Sequence, residues 1–167
     1  MKPIESLNEL LTENLRMLYD AEMSLQSIVF TMNDRAESGE LGRMLTRYIE
    51  RIKDKIARLD QIFVILREDL RGGENRVMSE ISNRITTLLR KIIQHDVRDA
   101  AIIGEMQRIN HILIADYGTA CAFAKTLAMN DVAKLLHETL EDEKQTDNEL
   151  TAIANEKING KAREILI

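Results

Sequence analysis

The chain has 167 residues, a length that suits one domain, and its 44% hydrophobic and 31% charged residues give the balance of a globular protein with a real core. No run approaches the roughly 20 apolar residues of a membrane span, and Glu5 and Glu9 interrupt any apolar leader, so neither a membrane partner nor export is expected. A formal charge of −5 with scattered basic residues argues against nucleic acid, and the single cysteine, Cys121, excludes an internal disulfide framework and fits a reducing cytoplasm.

One proline, seven glycines and no tryptophan leave the chain almost free of breakers and dominated by helix-favouring residues. The first helix is predicted from Ile4 or Ser6 to about Ala36, with Leu7, Leu11, Leu15, Leu18, Leu25, Val29 and Met32 recurring at three and four. A turn at 37–42 follows, with Ser38 as a cap. The second helix is predicted over about Glu40 to Asp69, with Leu45, Ile49, Ile52, Ile56, Leu59 and Phe63 on one face, and "RGGEN" at 71–75 breaks it. A shorter helix covers about Val77 to Gln94. The fourth runs from about Arg98 to Met129 on the line Ile102, Met106, Ile109, Leu113, Tyr117, Cys121 and Ala124. The fifth runs from about Asp131 to Ala154, and 159–167 reads as a weakly patterned tail behind a single domain over 1–158.

Short turns join the first to the second long helix and the fourth to the fifth, so each pair forms an antiparallel hairpin. Two hairpins joined by a long connection give the fold class: all-α, a ferritin-like up-down four-helix bundle with an additional short helix in the crossover. A plain helical interaction domain is the alternative at this level.

Polar residues on the inner face carry the functional question. Glu22 lies on the line of Leu15, Leu18 and Leu25, and Glu143 and Asp147 fall on the stripe of Val132, Leu136 and Leu150. A carboxylate in a core protonates, pairs or binds a cation. In bundles the familiar solution is a di-metal site built from glutamates and Glu-x-x-His pairs on four helices. The other two helices do not complete that set. The inner line of the second offers Tyr48, Arg51, Ile52 and Lys55, and the fourth offers Asn110 and Leu113, with His111 pointing away. His95 and His137 have no partners at ligand spacing, and Glu105 lies off the main stripe. Tyr19 and Tyr117 are near the acids by helical phase. No Ser/His/Asp or Cys/His arrangement suggests nucleophilic catalysis, and Cys121 reads as a small buried hydrophobe.

Five segments, "LYDAE" at 18–22, "RLDQIF" at 58–63, "VRDAAII" at 97–103, "QRINHILIADYGT" at 107–119 and "ETLEDEKQTDNELT" at 138–151, resemble the YciE/YciF family of bacterial stress-associated, ferritin-like proteins. The resemblance covers about residues 6–158. It implies a carboxylate-bridged di-metal centre and a largely unassigned role. The family's metal-site glutamate on the first helix matches Glu22, and its Glu-Lys-x-Thr-Asp on the fifth matches Glu143, Lys144, Thr146 and Asp147. Its His-x-x-Glu-Thr-x-x-Gln pattern on the second helix is here Tyr48, Arg51, Ile52 and Lys55. Its Glu-His-Tyr-Glu on the fourth is here Asn110, His111, Ile112 and Leu113.

Three acidic ligand positions have therefore become Arg51, Asn110 and Leu113. The expectation is a divergent member that has lost its di-metal site and has no cofactor. Arg51, with Lys55 beside it, is expected to supply the missing positive charge opposite Glu22, Glu143 and Asp147, the alternative being that Arg51 turns outward along its aliphatic stem, and Leu113 is expected to fill vacated volume. A structural or interaction role, stress-linked by resemblance, is expected rather than an enzyme, in a cytoplasmic homodimer whose protein partner the sequence does not identify. The alternative is a metal-binding oxidoreductase or storage protein holding Fe or Mn on the remaining acids.

Overall fold

A computed structural model describes residues 3–69 and 75–163. Among these the ordered elements are all helical: α1 Leu7–Asn33, α2 Gly39–Leu66, α3 Arg76–Lys91, α4 His95–Thr126 and α5 Asn130–Ile153, followed by a π-helical turn, Ala154–Ile158, and a last short helix, α6 Asn159–Arg163. The hairpins α1–α2 and α4–α5 pack side by side, with α1 against α4 and α2 against α5. This is a four-helix bundle with α3 in the crossover, laid across α1 and α4. The break expected at 71–75 lies outside the described residues except for Asn75.

Local chemistry fixes the helix starts. Ser6 accepts from the Glu9 N–H at 3.2 Å, and the Glu9 carboxylate accepts from the Glu5 N–H at 2.9 Å. This is a variant of the reciprocal capping box. Ser38 caps α2 through the Leu41 N–H, and Asn75 caps α3 through the Met78 N–H. Helix α4 begins at His95, three residues earlier than the apolar pattern predicts. Gln94 takes the cap position in extended conformation, its carbonyl accepts the Arg98 N–H at 3.0 Å, and Asp96 favours the positive end of the helix dipole. The fifth helix also continues past its predicted end at Ala154. One extra residue is absorbed in the π turn, which buries Ala154 and Ile158, and α6 continues along α4.

Long-range polar contacts fasten the connections. The buried Asp99 carboxylate of α4 accepts from the Glu37 and Ser38 N–H groups at 2.9 and 2.7 Å, tying the α1–α2 turn to the other hairpin. The crossover helix is held at its start by Asp20, which accepts the Asn75 N–H at 2.7 Å. Along its length it is held by Arg84, which forks onto buried Glu105 at 3.1 Å. Glu105 is thus off the bundle's central line, as its phase predicts, but faces α3 rather than water.

Helices α2 and α4 both end in left-handed residues that are not glycine. Arg67 has φ 54° and Ala128 has φ 58°. At the α4 end the Met129 N–H reaches Ala124 O at 2.9 Å and the Ala128 N–H reaches Lys125 O at 3.0 Å, the Schellman pairing. The left-handed conformation costs a residue with a Cβ about 1–2 kcal/mol. Ala128→Gly is expected to raise stability by about 0.5–1 kcal/mol after glycine's larger ordering entropy is subtracted. The reading is a higher urea midpoint at unchanged slope.

Candidate functional site

The centre of the bundle is polar. Lys55 of α2, Glu22 of α1 and Glu143 of α5 are each 0–1% exposed. Their helices bring them together because Tyr48, Ile52, Lys55 and Leu59 follow one 4-3-4 line of α2, while Leu18, Glu22 and Leu25 do the same on α1. Lys55 Nζ lies 3.0 Å from Glu22 Oε2 and 2.5 Å from Glu143 Oε1. One ammonium is shared by two carboxylates on different helices.

Neutral donors complete the cluster. Tyr117 of α4 donates to Glu22 Oε1 at 3.0 Å. Tyr48 OH accepts from Lys55 Nζ at 3.1 Å and donates to Glu143 Oε2 at 3.0 Å. The fully buried Asn110 of α4 donates Nδ2–H to Glu143 Oε2 and, at 3.0 Å, to the Glu143 carbonyl. The two oxygens of Glu143 therefore have different surroundings: Oε1 faces the ammonium, with the Tyr48 hydroxyl at 3.3 Å, and Oε2 takes the nearer contact of that phenol and the Asn110 amide.

The electrostatics follow from that geometry. Burial alone pulls the Lys55 amine downward, but the attraction of Glu143 and Glu22 outweighs it and holds the amine above its ordinary range. Burial raises Glu22, Lys55 opposes the rise, and the second carboxylate adds to it. Tyr48 and Tyr117 are pushed well above the ordinary phenol range, first by burial and then by the acids beside them.

The remaining predicted residues lie elsewhere. Arg51 does not face the acids. It sits at the edge of the α2–α5 contact, its side chain 30% exposed, donating to Thr146 Oγ1 at 3.2 Å and Glu149 at 3.1 Å. Asp147 is also outside the cluster, 3.0 Å from exposed His111. The physical reason is one of angle. At 100° per residue, Arg51 and Asp147 fall about 70° and about 60° from the centres of their buried stripes, whereas Lys55 and Glu143 fall within about 30°. Leu113 is fully buried, in keeping with a filler role. Tyr117 meets the acids as its phase predicts, while Tyr19 packs edge-on to Phe63 and associates with Asp60. Tyr48 and Asn110 are the partners that sequence reasoning placed on the inner line without giving them a role.

Residues 6–163 match the model of the DUF892 family, a domain of unknown function. The chain belongs to this YciE/YciF-type family. Protein YciF of Escherichia coli (strain K12) is 29% identical over 161 residues, 95% of this chain and 96% of that protein. The crystal structure of the E. coli stress protein YciF superposes with a TM-score of 0.89 at 27% identity, covering 93% of this chain and 99% of that one. YcfI from Rhodopseudomonas palustris superposes equally well, 0.89 at 29% identity, covering 92% and 98%. A Xanthomonas campestris protein, at 15% identity and 0.76, shares the fold.

The two metal ions that resemblance to the YciE/YciF-type family implies do not fit these residues. An ammonium already lies within contact distance of both central glutamates. Asn110 turns an N–H donor, not a lone pair, toward Glu143. Among the described residues no three His, Cys, Asp or Glu side chains converge in a way that could hold a metal ion.

Lys55→Met leaves two buried carboxylates without their cation, and a loss of about 3–5 kcal/mol in urea unfolding is expected. The raised phenols set an alkaline limit. The unfolded chain releases their protons near the ordinary value of 10.0, while the folded chain keeps them. Their stabilisation is therefore complete below pH 10 and is lost as pH rises through the raised values, at up to about 2.7 kcal/mol per pH unit for the pair. Tyrosinate absorbance in a pH titration should show these two phenols ionising only with unfolding, and Tyr48→Phe should remove one of them.

Proposed function

We propose that this chain is a ferritin-like bundle in which a tethered ammonium stands where relatives of the fold place metal, and that it acts as a non-enzymatic structural or interaction protein. The position of Lys55, shared by Glu22 and Glu143, carries this reading. A divalent ion at that point meets a fixed positive charge with no water to screen it. Arginine and asparagine at the other former acid positions leave no ligand set to compensate. Without two redox metals the centre has no means of activating oxygen. A stress-related setting is taken from E. coli YciF, described as a stress protein, and a structural role agrees with the description of the R. palustris relative as a candidate structural protein.

Metal content decides the matter. Protein produced with added Fe(II) or Mn(II), and purified without chelator, is expected to carry far less than one metal ion per chain by plasma mass spectrometry. Two ions per chain refute the proposal.

A homodimer belongs to the same reading. The outer face of α1 presents Met23 and Phe30, 48% and 67% exposed and two turns apart on one line. Light scattering is expected to give the mass of two chains, falling to one in Phe30→Asp with the helical signal unchanged. A wild-type monomer at high concentration removes this part.

A further inference from the structure

We propose that the central cluster is the precursor of an intramolecular cross-link: an isopeptide bond between Lys55 Nζ and Glu143 Cδ, formed by the folded chain itself. The inference rests on Lys55 occupying the centre in place of metal.

Three requirements of amide formation are met by named groups. The first is contact between amine and acyl group with water excluded. Lys55 Nζ is 2.5 Å from Glu143 Oε1, and both side chains are 1% exposed. Held this way, the pair gains the effective concentration of a positioned intramolecular reaction. The second is a group that carries protons from nitrogen to the departing oxygen. Glu22 Oε2 lies 3.0 Å from the same nitrogen and is fully buried. The third is stabilisation of the oxygen that gathers charge during attack. Glu143 Oε2 faces the Tyr48 hydroxyl at 3.0 Å and the Asn110 amide, two donors on the oxygen turned away from the amine.

The step balances without any co-reactant. A proton passes from the Lys55 ammonium to Glu143 Oε1 across their direct contact, giving a transient neutral amine beside a neutral carboxylic acid. The nitrogen lone pair then attacks Cδ, and the C=O electron pair moves onto Oε2. Glu22 takes the surplus proton from nitrogen and passes it to the Oε1 hydroxyl. The Cδ–Oε1 bond breaks as the electron pair on Oε2 restores C=O, and Oε1 departs as water. One C–N bond forms, one C–O bond breaks, nothing is oxidised or reduced, and Glu22 ends as it began. The product joins α2 to α5 and replaces two buried charges with one buried amide.

The test is the intact mass of the purified, folded full chain under denaturing conditions. The expected mass is one water below that of the sequence, with tandem mass spectrometry of a digest giving a branched peptide that joins Lys55 to Glu143. The unaltered sequence mass overturns the proposal, and so does a lost water that maps to any other pair. Lys55→Arg keeps a cation that does not condense, and Glu22→Gln removes the proton carrier. Both are expected to keep the full sequence mass, and water loss at the Lys55–Glu143 pair in Glu22→Gln overturns the assigned role of Glu22. Metal analysis of the same wild-type sample separates the two readings. A metal-free, unlinked chain overturns the cross-link alone, whereas a metal-loaded chain overturns the reading beneath it.

Discussion

One lysine side chain sets the terms for the whole interior. Lys55 carries a positive charge into a largely apolar core, and it does so between Glu22 and Glu143. Removing such ions from water costs several kcal/mol each, and only close, well-saturated contacts offset that cost. The contacts here come from all four bundle helices: α1 and α5 give the acids, α2 gives the cation and Tyr48, and α4 gives Tyr117 and Asn110. A helix sliding by one turn breaks at least one of these. An interchangeable apolar core has no such penalty, so the cluster specifies the register in which four similar amphipathic helices pack.

The periphery is organised around that register. The Asp99 carboxylate pins the α1–α2 turn, and the Asp20–Asn75 and Arg84–Glu105 contacts fix α3 across the crossover. Along the α2–α5 contact, Arg51 and Arg58 reach Glu149 and Asp142 at the bundle edge. These edge pairs lie partly in water and contribute little each. Their spacing follows from where the central ions hold the two helices. The strongly coupled charges are inside and the weakly coupled ones outside, so loss of a central residue is the more damaging change.

Much of the fold was legible in the sequence because helical periodicity is a redundant signal. The first, second and fourth helices repeat their apolar lines six or seven times, so an error at one residue does not alter the outcome. The ends were less legible. The apolar stripe of α4 does not reveal that Gln94 supplies the cap, nor does that of α5 announce a π turn that keeps Ile158 against the core. The site was legible in part. Glu22 and Glu143 stood out as acids on apolar lines, but a single residue offers no redundancy, and an angle of about 60–70° from the stripe is easily taken as inward. Arg51 and Asp147 were read inward on that ground. Lys55 lies closer to the stripe than Arg51, but Arg51 stands at a former acidic position and its permanent charge and planar fork suit carboxylates, which favours it as the expected partner. The phase of Tyr48, Ile52, Lys55 and Leu59 identifies Lys55 as the more central cation.

A covalently tethered cation differs from a bound ion in what it allows the protein to do. A metal centre is exchangeable: its occupancy follows supply and pH, and its open coordination positions admit oxygen or substrate. The Lys55 ammonium arrives with the chain, has no open position, and is closed off by Tyr48, Asn110 and Tyr117. On the reading proposed above the interior contributes rigidity and register without a metal, and Lys55, Glu22 and Glu143 are buried within it. On the same reading, recognition falls to the outer helical faces. The centre fixes four helices against one another, and the exposed apolar side chains of α1, Met23 and Phe30, lie outside that constraint.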